Sequence, residues 1–244
     1  MNLIEIPTSD GAAEAYVTGS GPGVLFYIDA IGLRPQIAQM ADRIAAWGYT
    51  VLAPNVLYRS GTAAETSPAP GQDLREPGER EKFFQAVGPR LGALDPDAVR
   101  RDAPVWLAAL REHAEGEQVG VVGYCMGARL AVRTAAVDPG VVAVAGFHGG
   151  GLAVEDDPES PHLLIEGTHA EYVFGHADQD RNMDEAAVAR LGQALDAAGL
   201  TATNEIYPGS PHGYTMNDTS MYDERGAERS FEALRGLLDR TLKA

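Results

Sequence analysis

QVGVVGYCMGARLAVRTAAV, residues 118–137, combines an apolar run, a glycine-rich turn and an amphipathic segment. Residues 118–122 are short and rich in valine, which is typical of a buried strand. Residues 126–137 carry apolar side chains at helical spacing. Between them, residues 123–127 read Gly-Tyr-Cys-Met-Gly. A Gly-x-Cys-x-Gly pattern between a strand and a helix predicts a nucleophile elbow, a sharp turn that exposes a reactive side chain.

Cys125 is the candidate nucleophile of this elbow. It is the only cysteine of the chain, so it cannot form an intrachain disulfide. An isolated free cysteine is more often a buried core residue than a reactive one. Here Gly123 and Gly127 favour the functional reading, because side chains at those positions would collide with the neighbouring strand and helix. The N-terminus of the predicted helix would also favour the thiolate over the thiol.

A thiol nucleophile needs a base, and the base needs an acid that orients it. His212 is the predicted base, because it lies in a loop after a predicted strand at 203–207 and because an imidazole ordinarily has a pKa near neutral pH. The predicted acid is Asp178, which follows a strand-like run at 170–174. Asp180 is the competing candidate, with capping of the next helix as its other possible role.

Strand and helix patterns alternate along the rest of the chain. Strands are predicted at 23–28, 49–52, 118–122, 141–147 and 203–207, with strand-like runs at 162–166 and 170–174, one of which can be only an approach segment. Helices are predicted at 35–47, 79–87, 95–115, 126–137, 185–198 and 225–242. This alternation predicts an α/β fold with a mostly parallel sheet covered on both faces. We expect one domain over 1–244, in which 59–95 forms a long loop and a helical, lid-like segment.

Composition and charge exclude several classes of function. The net charge is −16, which argues against nucleic acid as a partner. No apolar stretch approaches the length of a membrane span, and the N-terminus does not resemble a signal peptide. We therefore expect a cytoplasmic protein with no membrane partner. The histidines show no metal-ligand spacing, and there is no P-loop or dinucleotide motif, so neither a metal nor a cofactor is expected.

Six segments of the chain resemble the dienelactone hydrolase family, the carboxymethylenebutenolidases. They are DAIGLR at 29–34, MADR at 40–43, GYTVLAPN at 48–55, GYCMGAR at 123–129, FHGG at 147–150 and YPGSPHG at 207–213. The resemblance implies an α/β-hydrolase fold, with a mostly parallel central sheet flanked by helices on both faces. It also implies a Cys–His–Asp triad on Cys125, His212 and Asp178, which opens lactones through an acyl-enzyme.

The resemblance further implies roles around the nucleophile. The backbone N–H groups of Met126 and Ala30 would form the oxyanion hole. Asp29 would supply the carboxylate that hydrogen-bonds the resting thiol and helps to activate it, one methylene shorter than the glutamate of well-known members. Three more residues are predicted to line the substrate pocket because they lie in the elbow, after a strand and beside the predicted base: Tyr124, His148 and Tyr214.

The family's two substrate-binding arginines are only partly present. Arg80 fits the first, because it precedes an aromatic residue, Phe84, by four positions. The second would lie four residues after His212, where this chain has Met216. Methionine is flexible and apolar and cannot replace a charge-assisted contact. The resemblance therefore implies a substrate less anionic than dienelactone.

These observations predict a cysteine-dependent hydrolase of a small-molecule ester or lactone, acting as a monomer or homodimer. The alternative is a protein of the same fold that binds a small molecule or guides a cyclisation without hydrolysis. The complete set of nucleophile, base and acid candidates favours the hydrolase.

Overall fold

An eight-stranded sheet forms the centre of the protein in a computed structural model that describes residues 2–243. Its strands are β1 (Leu3–Thr8), β2 (Gly11–Gly19), β3 (Pro22–Tyr27), β4 (Thr50–Pro54), β5 (Glu115–Tyr124), β6 (Val141–Phe147), β7 (Glu171–Ala177) and β8 (Ala202–Tyr207). They lie in the order β1-β2-β4-β3-β5-β6-β7-β8. From β4 to β8 all neighbours pair in parallel, whereas β2 runs antiparallel to both of its neighbours, β1 and β4. The mostly parallel sheet predicted from the sequence is confirmed.

Helices cover both faces of the sheet, because its central strands are apolar on both sides. They are α1 (Pro35–Ala45), α2 (Ala63–Thr66), α3 (Glu79–Leu91), α4 (Pro96–Arg111), α5 (Met126–Ala135), α6 (Glu185–Ala197) and α7 (Glu224–Leu242). In one layer, α4 packs on β3 and contacts α5, which packs on β5 and β6. In the other, α1 packs on β4 and α7 packs on β5 to β7, and Arg43 of α1 pairs with Glu228 of α7.

The N-terminal hairpin of β1 and β2 is a feature that sequence reasoning missed. These strands lie at the sheet edge and are only partly buried, with Ile6, Ala13 and Ala15 facing the core. Several residues of β2 are alanines, so the sequence shows only a weak alternation of apolar and polar side chains there. The Asp10-Gly11 pair, which follows the first run, was the available signal, since such pairs are typical of tight hairpins.

Two other segments differ from the predictions. Residues 162–166, one of the two strand-like runs, lie in a 3-10 helix at Pro161–Gly167, and β7 provides the strand between β6 and β8. The 59–78 loop contains helix α2, which begins with a capping box of Thr62 and Glu65. That Thr-x-x-Glu spacing is a recognisable helix start.

The elbow between β5 and α5 depends on its two glycines. Cys125 has φ 55° and ψ −117°, outside the regions that non-glycine residues usually adopt. A Cβ atom on Gly123 would lie 2.0 Å from the carbonyl oxygen of Gly127, and one on Gly127 would lie 2.5 Å from that of Tyr27. The elbow therefore brings β5, α5 and β3 too close together for any side chain at either position.

We expect the Gly127→Ala variant to lose about 3 kcal/mol or more of unfolding free energy, because rigid backbone atoms would have to move. Urea denaturation followed by circular dichroism measures this loss. Gly88→Ala on α3 is the control, since its added Cβ meets no atom within 4 Å and alanine favours a helix. Equal stabilities for the two variants would contradict the close packing of the elbow.

Candidate active site

The carboxyl ends of five parallel strands bring the candidate functional residues to one edge of the sheet, where ligands commonly bind in α/β folds. These residues follow β3, β5, β6, β7 and β8 respectively: Ala30, Cys125, His148, Asp180 and His212. A cavity at this edge has a volume of about 660 Å³, and both Cys125 and His212 line it. A smaller pocket beside it shares Cys125 and His212 and reaches His148.

Cys125, His212 and Asp180 form a continuous hydrogen-bonded line. The Cys125 Sγ atom lies 3.1 Å from His212 Nε2. On the other side of the ring, His212 Nδ1 lies 2.5 Å from Asp180 Oδ2. Asp180 is buried, whereas Cys125 is partly exposed to the cavity. This arrangement matches, by role, a nucleophile, its base and the acid that fixes the tautomer of the base.

The acid in this line is Asp180 and not Asp178, so the predicted contact of Asp178 with His212 is wrong. Strand β7 extends to Ala177, three residues beyond the predicted run, so Asp178 is the first residue after the strand. There Asp178 Oδ2 accepts a hydrogen bond of 2.8 Å from the backbone N–H of Gly209. The chain then turns at Gln179, which has φ 53°, and directs the next side chain towards His212.

Asp180 does not cap the following helix either. The N-cap of α6 is Asp184, whose side chain accepts from the N–H of Ala187. The Asp180 Oδ1 atom instead accepts from the N–H of Asn182, 2.9 Å away. This second bond holds the carboxylate in place, so that its other oxygen remains directed at the imidazole.

The surroundings of His212 favour its protonated form. Burial by itself lowers its pKa, but the hydrogen bond with Asp180 and the contact with Cys125 outweigh burial and raise the pKa to about 10. Burial likewise raises the pKa of Asp180, but the hydrogen bond and charge of His212 reverse this, and the pKa lies below its ordinary value. A protonated imidazole beside the sulfur would stabilise a thiolate.

The two residues whose backbone N–H groups are predicted to form the oxyanion hole lie beside the nucleophile. Ala30 and Met126 both line the cavity with Cys125. Within residues 2–243, neither N–H group has a hydrogen-bond acceptor. Met126 is the first residue of α5, so its N–H is one of the donors that a helix start leaves free. The pair could therefore stabilise negative charge on a substrate oxygen.

Asp29 borders the small pocket, but its carboxylate is engaged elsewhere. Its Oδ1 and Oδ2 accept from the Arg34 guanidinium at 2.6 and 3.2 Å, and Oδ1 also accepts from the N–H of Ile31. Arg34 in turn binds Asp218 through Nε at 2.6 Å. The expected hydrogen bond of Asp29 to the thiol is absent among the described residues. Sequence reasoning missed Arg34 and Asp218, which are 184 positions apart.

Arg80 and Phe84 both line the cavity, as predicted. The Arg80 guanidinium carbon lies 4.8 Å from the centre of the Phe84 ring, a cation–π distance. Met216 lies buried at the small pocket, and its sulfur accepts a contact of 3.4 Å from Arg34 Nη2. The guanidinium of Arg34 therefore lies next to Met216, but it is already paired with the carboxylates of Asp29 and Asp218.

The predicted roles of three aromatic residues differ in outcome. Tyr124 is buried and stacks on Phe26 with 4.9 Å between ring centres, so it is a core residue. Tyr214 is also buried, and its hydroxyl donates to the carbonyl of Gly175. Neither lines the cavity or the small pocket, so the prediction that they bind substrate is wrong. His148 does face the small pocket, and its Nε2 lies 2.7 Å from Thr215 Oγ1.

The cavity also contains residues that sequence reasoning missed. Arg129, Arg181 and Asn182 line it alongside Arg80. Arg129 lies in the elbow segment that carried the resemblance, but its place on the helix face became visible only with the structure. Arg181 and Asn182 follow the turn at Gln179, and no motif marks them.

Across residues 2–243, no cluster of three or more histidine, cysteine, aspartate or glutamate side chains could hold a metal ion. In the same range, no helix combines the length and the apolar character needed to cross a membrane.

Comparison with known proteins places the chain among hydrolases. Residues 12–242 match the model of the dienelactone hydrolase family. A carboxymethylenebutenolidase from Rhodococcus opacus is 26% identical over 81% of this chain and 71% of its own length. A Synechocystis protein with a provisional assignment to the same activity is 25% identical over 95% and 91%. The crystal structure of a dienelactone hydrolase from Anabaena variabilis, 14% identical, covers 99% of this chain and 97% of its own, with a TM-score of 0.66.

Proposed function

This chain belongs to the dienelactone hydrolase family and has the α/β-hydrolase fold, and we propose that it cleaves an ester or lactone through an acyl-enzyme on Cys125. One observation carries the proposal. The line from Cys125 through His212 to Asp180 borders a cavity whose lining also includes Ala30 and Met126, both with backbone N–H groups that have no acceptor within residues 2–243. Acyl transfer needs these parts in this relation.

The proposed reaction has two halves. His212 holds the proton of the Cys125 thiol, and the sulfur attacks the substrate carbonyl carbon. The N–H groups of Ala30 and Met126 stabilise the oxyanion of the tetrahedral intermediate. When that intermediate collapses, the carbon–oxygen bond breaks, and the leaving oxygen takes the proton from His212. A thioester on Cys125 remains.

Water completes the cycle. His212 removes a proton from a water molecule, which attacks the thioester carbonyl under the same two N–H groups. The carbon–sulfur bond breaks, the carboxylic acid leaves, and Cys125 recovers its proton through His212. Throughout, Asp180 holds the Nδ1 side of the ring, so that Nε2 stays directed at the sulfur.

The nucleophile restricts the leaving group. A thiolate is itself easily expelled from a tetrahedral intermediate. When the other group is an alkoxide, a poorer leaving group, the intermediate returns to the starting ester more often than it forms the thioester. Enol and aryl oxygens stabilise the negative charge that develops as the carbon–oxygen bond breaks, and esters or lactones of that kind therefore suit Cys125 best. This preference agrees with the names of the curated relatives, which are carboxymethylenebutenolidases.

The charge of the substrate depends on which arginines line the site. The absence of arginine at position 216 predicts a substrate less anionic than dienelactone. Three arginines nevertheless line the cavity, namely Arg80, Arg129 and Arg181. We therefore do not retain an apolar substrate as part of the proposed function.

Trapping the acyl-enzyme tests the proposal. We expect acid quenching during turnover of p-nitrophenyl acetate to leave an acetyl group on the peptide that contains Cys125, as seen by mass spectrometry. Prior alkylation with iodoacetamide should abolish both the adduct and turnover. An adduct on another residue would contradict the mechanism. A thiol inert to iodoacetamide, together with no turnover, would favour the binding or cyclisation protein instead.

A further inference from the structure

The arginines of this chain are distributed unevenly between ion pairs and the cavity. Of 17 arginines, twelve form an ion pair within residues 2–243. Three of the remaining five line the cavity beside Cys125: Arg80, Arg129 and Arg181. In a chain with 35 acidic residues, most arginines find a carboxylate partner. Those that do not are concentrated at one site.

The same cavity has no acidic residue in its lining. Its charged or ionisable groups are the three arginines, His212 and Cys125. His212 is paired with Asp180. Asp157 and Glu159 border Arg129 in an adjoining cavity, but none of the three arginines forms an ion pair with a carboxylate of residues 2–243. Clustered guanidinium groups without carboxylates are the usual means of binding a carboxylate or phosphate.

These arginines lie at two different ends of the cavity. Arg80 also borders the small pocket that contains Ala30, His148 and Met216. Arg129 instead borders a neighbouring cavity formed by α5 and the 151–161 segment. A substrate held by Arg80 at one end can thus meet Arg129 at the other.

Three consecutive glycines join Arg129 to the Arg181 segment. A Cβ on Gly151 would lie 3.6 Å from Arg129 Cδ, so this guanidinium arm lies across the glycine backbone. A Cβ on Gly150 would lie 2.8 Å from Asn182 Cβ, and the Gly151 N–H donates to the Asn182 carbonyl at 2.7 Å. The absence of side chains at 150 and 151 therefore allows α5 and the loop after β7 to approach each other closely.

Helix geometry places the backbone of Arg129 close to that of Cys125. Arg129 follows Cys125 by four residues at the start of α5, which corresponds to about 6 Å along the helix. An anionic group at the end of a short acyl chain could thus reach Arg129 while its ester carbonyl lies at Cys125.

We propose that Arg129 and Arg181 form an anion subsite, separate from Arg80, which selects esters or lactones carrying a carboxylate or phosphate at the end of a short acyl chain. This inference rests on the proposed function, since it assigns the substrate class of the same site. It replaces the expectation of a less anionic substrate. The lost arginine at 216 is compensated by cations on α5 and after β7.

Two matched esters test the subsite. Mono-p-nitrophenyl glutarate and p-nitrophenyl valerate share chain length and leaving group and differ in a terminal carboxylate. We expect the kcat/KM ratio of glutarate to valerate ester to fall about tenfold in Arg129→Gln or Arg181→Gln and about a hundredfold in the double variant, as charged hydrogen bonds are lost. Arg225→Gln is the control, because Arg225 lies on α7 outside the cavity.

A binding measurement separates this proposal from the proposed function. Calorimetry with glutarate and with glycerol phosphate, on wild type and double variant, needs no turnover and shows which anion the subsite prefers. Weaker binding by the double variant supports the subsite, even if neither ester is hydrolysed, in which case only the proposed function fails. An unchanged ester ratio together with unchanged anion binding would overturn the subsite while leaving Cys125 chemistry intact.

Discussion

Replacement of Cys125 by alanine is expected to lower kcat/KM for p-nitrophenyl acetate by at least about 10³-fold, because the covalent path disappears. What remains would come from the two N–H groups and His212 acting on water directly. Steady-state kinetics with stopped-flow detection of nitrophenolate measures the loss. No other change in the site removes a bond-forming atom, so we expect this effect to be the largest of any single substitution.

The serine variant sharpens this prediction. Cys125→Ser keeps a nucleophile of similar size, but its hydroxyl is a far weaker acid than a thiol. Asp180 raises the pKa of His212 independently of Cys125, which favours an imidazolium and not the neutral base that an alcohol nucleophile needs. We therefore expect the serine variant to be nearly as inactive as the alanine variant. Full activity in Cys125→Ala, with its folding confirmed by circular dichroism, would remove Cys125 from the mechanism.

The elbow could be predicted from the sequence because its physics is local. Gly123, Cys125 and Gly127 lie within five residues, and a sharp strand-to-helix turn requires glycines at that spacing. Gly127 would clash with the Tyr27 carbonyl if it carried a side chain, a contact that only the β3–β5 pairing creates. A packing requirement between distant parts of the chain thus fixes glycines that lie close together in the sequence, and this is why the motif could be recognised.

The site residues that were missed or wrongly placed depend on contacts between residues far apart in the sequence. Arg34 meets Asp218 only after the chain has folded, and nothing near either residue announces the pair. Tyr124 is adjacent to Cys125 in sequence, but strand alternation turns its side chain into the core. Proximity along the chain therefore placed Tyr124 in the pocket wrongly, while Arg181, which no motif marks, lines the cavity.

The choice between two aspartates depended on where one strand ends. Asp178 and Asp180 have the same chemistry and differ in position by two residues. A strand that ended at residue 174 would leave Asp178 in the middle of the loop, as was predicted. Because β7 continues to Ala177 and Gln179 adopts a positive φ, the second aspartate reaches His212. A shift of three residues in one strand end was enough to exchange their roles.

Substitution of each aspartate by asparagine tests this assignment. We expect Asp180→Asn to lower kcat by about 10² to 10⁴-fold. A neutral amide stabilises the imidazolium less than a carboxylate does, and when it donates to Nδ1 it favours the wrong tautomer of the ring. We also expect the pKa of His212 to fall, since Asp180 is the first partner that raises it. Kinetics against pH and the NMR titration of the His212 ring measure the two effects.

Asp178→Asn is the matched control, with the same chemical change two residues away. Its carboxylate accepts one hydrogen bond from the Gly209 N–H, in the loop that leads to His212. Loss of the charge there should cost about 1 kcal/mol of stability and change kcat by less than about fivefold. If Asp178→Asn instead abolished activity while Asp180→Asn retained it, the hydrogen bond from His212 to Asp180 would not be the catalytic one. The loop after β7 would then have to rearrange during turnover, with Asp178 exchanging its Gly209 contact for the imidazole.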